Sequence, residues 1–193
     1  RIEKMAEKAR DNKIGFIGGY AHSPNVDAVD TFMRDTWPLL SKTFPDLEFH
    51  IIGSKPPKHF SFYTDTNVKL VGYVEDLDKY LSDFLCTIAP LNYGAGIKGK
   101  IASSLRAGLP CIASNCAVEG MGLVENEEIL IANKPSEFIQ KILHLRTDPI
   151  GRQQIIEAGI SFVYNNYGID ANAVRFAEIL TKIGINFCLK DNS

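Results

Sequence analysis

The stretch Leu85–Ser114, LCTIAPLNYGAGIKGKIASSLRAGLPCIAS, holds a complete strand–helix–strand unit. Leu85–Pro90 (LCTIAP) is a continuous apolar run, the pattern of a strand covered on both faces. Pro110–Ser114 (PCIAS) is a second such run. Between them Gly99 to Ala107 reads as a helix that Gly108 ends. The loop Asn92-Tyr93-Gly94-Ala95-Gly96-Ile97-Lys98-Gly99-Lys100 joins the first strand to that helix.

Outward from this unit the same alternation continues. Lys13–Gly18 (KIGFIG), Leu47–Ile52 (LEFHII) and Val68–Val71 (VKLV) precede it, and Glu128–Ala132 (EILIA) follows. Ser23-Pro24 is an N-cap with proline at the first helical position, and Val26, Val29, Phe32 and Met33 follow at helical spacing. Trp37-Pro38 should kink or restart that helix. Asp76 caps a short helix carrying Leu77, Tyr80 and Leu81. Ser136 caps another through Leu145. Two more are expected near Pro149–Asn165 and Asp170–Ile183. Ser54–Lys58 and Ser61–Asn67 read as one long surface loop. Six buried strands with right-handed helical crossovers predict an α/β fold, a Rossmann-like doubly wound six-stranded parallel sheet. No repeat, low-complexity tract or linker divides it.

Bulk properties bound the function. The chain has 193 residues, 45% of them apolar, and a formal net charge of −2. That balance lacks the basic stripe of a nucleic-acid binder, so no nucleic-acid partner is expected. No apolar run approaches the ~20 residues that span a bilayer. Arg1–Arg10 is charged and helix-like, without a secretory signal. Cys86, Cys111, Cys116 and Cys188 lack CxxC spacing, and the four histidines are scattered, so no metal site is expected. Buried free thiols in a reducing cytosol are the reading, and the localisation expected is cytoplasmic.

Open parallel sheets bind ligands beyond the carboxyl ends of their strands, where strand order reverses. Here that is the gap between the first and fourth strands, bordered by Gly18–Asn25 and Leu91–Lys100. A small-residue turn feeding a helix presents free N–H groups and the positive end of a helix dipole. Gly94, Ala95 and Gly96 leave room for a phosphate, and Lys98 and Lys100 add charge. The reading is a diphosphate cradle; the other is a tight turn with solvated lysines. Gly18, Gly19 and His22 form a second small-residue loop opposite, where His22 either touches phosphate or sugar or is structural. His50 alternates within a strand, and His59 and His144 read as surface residues. Asp76-Leu77-Asp78 is formally a DxD, but it starts a helix, where acidic residues favour the dipole. Glu119, Gly120 and Gly122 follow the fifth strand, serving a turn or a ligand. Glu125–Glu128 reads as a solvated face.

These motifs together resemble the C-terminal domain of group 1 (family 4) glycosyltransferases. The resemblance rests on Gly94-Ala-Gly-Ile-Lys-Gly-Lys-Ile, Ala107-Gly-Leu-Pro-Cys-Ile-Ala-Ser, Phe16-Ile-Gly-Gly with His22-Ser-Pro-Asn-Val-Asp-Ala, Val71-Gly-Tyr-Val-Glu-Asp-Leu and Val118-Glu-Gly-Met. It runs from about Lys13 to Asn166. It implies a GT-B enzyme of two Rossmann-like domains, with metal-independent and retaining transfer of a sugar, without a cofactor, from a nucleotide-diphosphate sugar. It implies that Ala95–Ile97 amides and Lys98 face the diphosphate or sugar, that Tyr73 and Val74 border the base, that Ser103 meets the ribose, and that Glu119, Gly120 and Met121 lie near the cleft. The acceptor, a glycan or lipid-linked sugar, would bind an N-terminal domain absent from this chain, through which the enzyme would associate with a membrane surface. Residues 1–12 would be the link from that domain, and 13–193 the nucleotide-sugar domain. No catalytic residue is assigned.

Many family members carry two glutamates eight positions apart across this loop and helix. This chain has Ala95 and Ser103 there. A catalytically inactive GT-B-like interaction module is therefore the alternative. A sugar-nucleotide epimerase of the same fold lacks an acid/base pair here.

Overall fold

The computed structural model describes residues 12–65, 67–94 and 99–167. Residues 1–11, 66, 95–98 and 168–193, with the helix expected at 170–183, lie outside them.

All six expected strands form. They are β1 (Lys13–Ile17), β2 (Glu48–Ile52), β3 (Val68–Gly72), β4 (Cys86–Ala89), β5 (Cys111–Ala113) and β6 (Leu130–Ile131). Their order is β3-β2-β1-β4-β5-β6, every pair is parallel, and β1 lies beside β4. Order therefore reverses at the β1/β4 gap. Five strands are almost continuously buried because helices cover both faces; β3, at one edge, exposes Lys69.

One face carries α1 (Ser23–Thr31), α2 (Trp37–Thr43) and α6 (Pro135–Thr147). Its core joins Phe16, Phe32, Trp37, Phe49 and Phe138, with Phe32 5.0 Å from Phe49 and 5.6 Å from Phe138 between ring centroids. The other face carries α3 (Leu77–Leu81), α4 (Gly99–Arg106) and α7 (Pro149–Tyr167); α5 (Asn115–Val118) is a single turn after β5. Thr87 of β4 donates to Ser104 Oγ at 2.7 Å, and Ser104 donates to the Lys100 carbonyl at 2.8 Å. Both hydroxyls are buried and satisfied, so they fix α4 on the sheet.

The Trp37-Pro38 junction is absorbed rather than broken. Phe32–Thr36 forms a π turn, and Trp37 donates to the Phe32 carbonyl. The wider turn makes room for a proline that has no N–H to give and would crowd the preceding turn. Two expected helix starts move. α1 begins at Ser23, with His22 as N-cap and no side-chain cap, so Pro24 is the second helical residue. α6 begins at Pro135, not beyond Ser136, because the Glu137 carboxylate accepts from Asn133 N–H at 2.6 Å and Lys134 N–H at 3.1 Å. Asp76 caps α3 as expected, accepting from Lys79 N–H. Gly108, at φ +72°, closes α4 with Leu109 N–H donating to the Ser104 carbonyl.

The region 54–67 is a correction. Lys58–Tyr63 is a 3-10 helix, and Phe60 within it is fully buried against Tyr20. The segment is a lid on the core, not a free loop. His59 keeps 43% of its side chain exposed, as expected of a surface residue, and its Nε2 lies 2.9 Å from Asp30 Oδ1. His144 is exposed as expected.

Candidate functional site

The carboxyl ends of β1, β2 and β3 are each followed or closed by glycine. Gly18 N–H donates to the Ile52 carbonyl, and Gly53 N–H to the Gly72 carbonyl. Gly53 has φ +138°, and a Cβ there would sit 1.7 Å from the Gly18 oxygen. The backbones after β1 and β2 therefore cross with no side chain between them. Beyond this crossing Tyr20 turns inward, with its N–H on the Ser54 carbonyl and its hydroxyl on the Ile52 carbonyl. Gly19 has open space where a Cβ would be, and His22 is exposed.

Across the β1/β4 gap the second loop meets the first. Gly94, at φ +128°, stands against Pro24 at the start of α1: a Cβ on it would lie 3.3 Å from the proline ring. Asn92 donates to Asp27 Oδ2 at 2.8 Å and to Thr31 Oγ1 at 3.2 Å. At the start of α4 the Lys100 ammonium donates to Asn25 Oδ1 and lies 4.6 Å from the Phe16 ring centroid. The described ends of the two expected loops thus meet at the switch point, with the α4 N-terminus beside them. Ser103 is half-buried, one turn beyond Lys100 on α4. Ala95, Gly96, Ile97 and Lys98 lie outside the described residues.

The other expected site residues occupy the same end of the sheet. Tyr73, just past β3, is 76% exposed, while Val74 packs beside Ile52, Leu81 and Phe84. Glu119 and Gly120 are exposed after α5, and Met121 packs on the core. Gly120 and Gly122 have φ +76° and +75°, which explains both glycines as turn residues. Asp76 and Asp78 do not converge on a cation: Asp76 caps α3, and Asp78 takes a bidentate pair from Arg106. No group of three metal-ligating side chains occurs among the described residues.

Sequence reasoning missed two features. Asn25, buried at 7% exposure, was read only as a border of the ligand gap. Its bonding to both loops joins residues 75 apart and has no local signature. The second feature is a groove of about 600 Å³ running along α3, lined by Lys13, His50, Val74, Tyr80, Asp83 and Phe84. His50 Nδ1 lies 2.8 Å from the Tyr80 hydroxyl, and Nε2 lies 3.1 Å from Glu48 Oε2. Burial holds His50 below its ordinary 6.5, with Glu48 pulling the other way. The unfolded chain therefore takes this proton first as pH falls. Stability should be full above pH ~6.5 and decline below it, by at most ~1.4 kcal/mol per pH unit from this group. Urea midpoints at pH 7.5 and 5.5 check it: His50→Gln should reduce the difference, and an unchanged difference removes His50 as its source.

Burial pushes the Cys111 thiol up to about 11 and the Cys86 thiol higher still, so both are inert packing groups as expected. Cys116 is half-buried.

A doubly wound parallel sheet with two backbone loops meeting at its switch point is a Rossmann-like domain, the unit from which GT-B folds are built. Residues 11–148 match the family described as Glycosyl transferases group 1, and the chain belongs to that family. It is 24% identical over 161 residues to an uncharacterized 44.6 kDa protein in the cps region of Klebsiella pneumoniae, covering 79% of this chain and 42% of that one. Among solved structures it is similar to Anabaena HepE in complex with UDP and glucose, at 13% identity and TM-score 0.66, covering 93% of this chain and 51% of that one. It is also similar to the C-terminal domain of LpcC, a group 1 family glycosyl transferase from Francisella tularensis, at 16% identity and TM-score 0.63, covering 83% and 88% respectively. At such identities the likeness to solved structures speaks for the fold. The chain thus spans under half of its Klebsiella relative and about half of HepE. No helix among the described residues is long and apolar enough to cross a membrane.

Proposed function

We propose that this chain is the donor-binding half of a glycosyltransferase. It holds a nucleotide-diphosphate sugar in the β1/β4 crevice for metal-independent, retaining hexosyl transfer to a glycan or lipid-linked acceptor, in cytoplasmic polysaccharide biosynthesis. The observation that carries this is the meeting of the Gly18–Gly19 and Gly94 loops beside the α4 N-terminus and Lys100. Backbone amides, a helix dipole and fixed positive charge favour a diphosphate. The same groups stabilise that diphosphate as it leaves, when negative charge grows on it. HepE, which shares the fold, was solved with UDP and glucose, and the Klebsiella relative lies in a cps region. In this reading the acceptor and the remaining catalytic groups come from an N-terminal domain outside the chain, and the 193-residue chain alone transfers no sugar.

Calorimetry of the chain with UDP, GDP and ADP tests the reading. One of them should bind, and Gly96→Val and Lys98→Ala should each weaken it, Lys98→Ala by about tenfold, the loss of one charge-assisted contact. Binding that ignores both changes places the site elsewhere. Sugar transfer by the isolated chain would refute the need for a second domain. Ala95 and Ser103 favour the second reading, an inactive GT-B-like module. Failure of all three nucleotides to bind would decide for it.

A further inference from the structure

We infer that Asn25 is a positioning residue for the diphosphate, one that works by fixing the Lys100 ammonium against the glycine loop; this rests on the donor-site reading above. Asn25 is buried at the start of α1, and its two amide ends are used on opposite walls of the crevice. Its Nδ2 donates to the Gly19 carbonyl at 2.9 Å, and its Oδ1 accepts from Lys100. Lys100 is further held over the Phe16 ring, whose face attracts a cation. The site around the amide is tight, since a Cβ on Gly18 would lie 3.1 Å from Asn25 Cγ.

Only a side chain with one donor and one acceptor at this reach makes both bonds. A neutral amide orients the ammonium without itself cancelling its charge. The same amide sets where the Gly19 backbone stands relative to α4. One residue thereby fixes both the charge and the gap that a diphosphate would meet. A carboxylate in its place would neutralise Lys100 and would repel the Gly19 carbonyl.

The experiment compares a diphosphate with its own nucleoside. UDP, GDP and ADP, with uridine, guanosine and adenosine, are titrated into the wild-type chain, Asn25→Asp, Lys100→Met and the double variant. Asn25→Asp should weaken the binding diphosphate by about tenfold, the scale of one charge-assisted contact, and leave its nucleoside within about twofold. In the Lys100→Met background the same change should have little further effect, because the two residues act as one unit. Should Asn25→Asp not fold, Asn25→Leu carries the test, with the same selective loss of the diphosphate. Equal weakening of diphosphate and nucleoside, or full additivity with Lys100→Met, makes Asn25 a packing residue and overturns the inference alone. If the wild-type chain binds no diphosphate, the donor-site reading falls and this inference with it.

Discussion

Gly53→Ala is expected to destabilise the chain by about 2–6 kcal/mol, or to prevent folding. Two effects add. At φ +138° any side chain is strained, at about 1–3 kcal/mol. The new methyl would also lie 1.7 Å from the Gly18 oxygen and 2.7 Å from its carbonyl carbon, which are backbone atoms and cannot swing away. Relief requires the loops after β1 and β2 to part, and overpacking of this kind costs about 1–3 kcal/mol more. Moving Gly18 also loosens its N–H bond to the Ile52 carbonyl. Urea unfolding measures the loss. Gly19→Ala is the control: open space surrounds it, so its stability should change by under about 1 kcal/mol. A Gly53→Ala chain within 1 kcal/mol of wild type would show that the crossing is looser than described.

Ser103→Glu is expected to raise ribonucleotide affinity by roughly 5- to 150-fold. The motivation is the family resemblance, which implies residue 103 at the ribose, together with its half-buried place on α4 one turn past Lys100. Its neighbour Ser104 is the residue committed to Thr87, which leaves the Ser103 side chain outside that buried pair. A serine hydroxyl makes one neutral bond worth about 0.5–1.5 kcal/mol net. A carboxylate can accept from both ribose hydroxyls through charge-assisted bonds about twice as strong. The difference of about 1–3 kcal/mol is the stated range of affinity. The gain should be absent for 2′,3′-dideoxy analogues. Equal gains for both ligands, or no gain, would move residue 103 away from the ribose.

Sequence periodicity carried the fold well because all strands but the edge strand β3 are largely sealed by helices and read as near-continuous apolar runs. Cys86-Thr-Ile-Ala is an example, buried at all four positions. The strand order followed from the alternation of strands and helices. What could not be read locally depended on distant partners. Phe60 falls between the two stretches read as surface loop, and its ring packs against Tyr20, forty residues earlier, as well as against His59 and Tyr63. The α6 start moved because Glu137 reaches back to two backbone amides, a competitor to the Ser136 cap that spacing alone does not rank. In the site, glycines announced the crevice, since φ +128° at Gly94 favours glycine for a geometric reason. The bond from Asn25 to Lys100 did not, because neither residue type is unusual where it stands.

The ends of the sheet bear on how this domain behaves at high concentration. A free strand border invites pairing with another molecule, and long flat borders seed aggregates. β6 offers only Leu130–Ile131, too short a template for a neighbouring chain to continue. At the opposite border β3 presents the exposed charge of Lys69, and its pairing with β2 is irregular between Ile51 and Ile52. Both borders are thus poor hosts for an added strand, which favours a domain that stays a discrete unit when crowded.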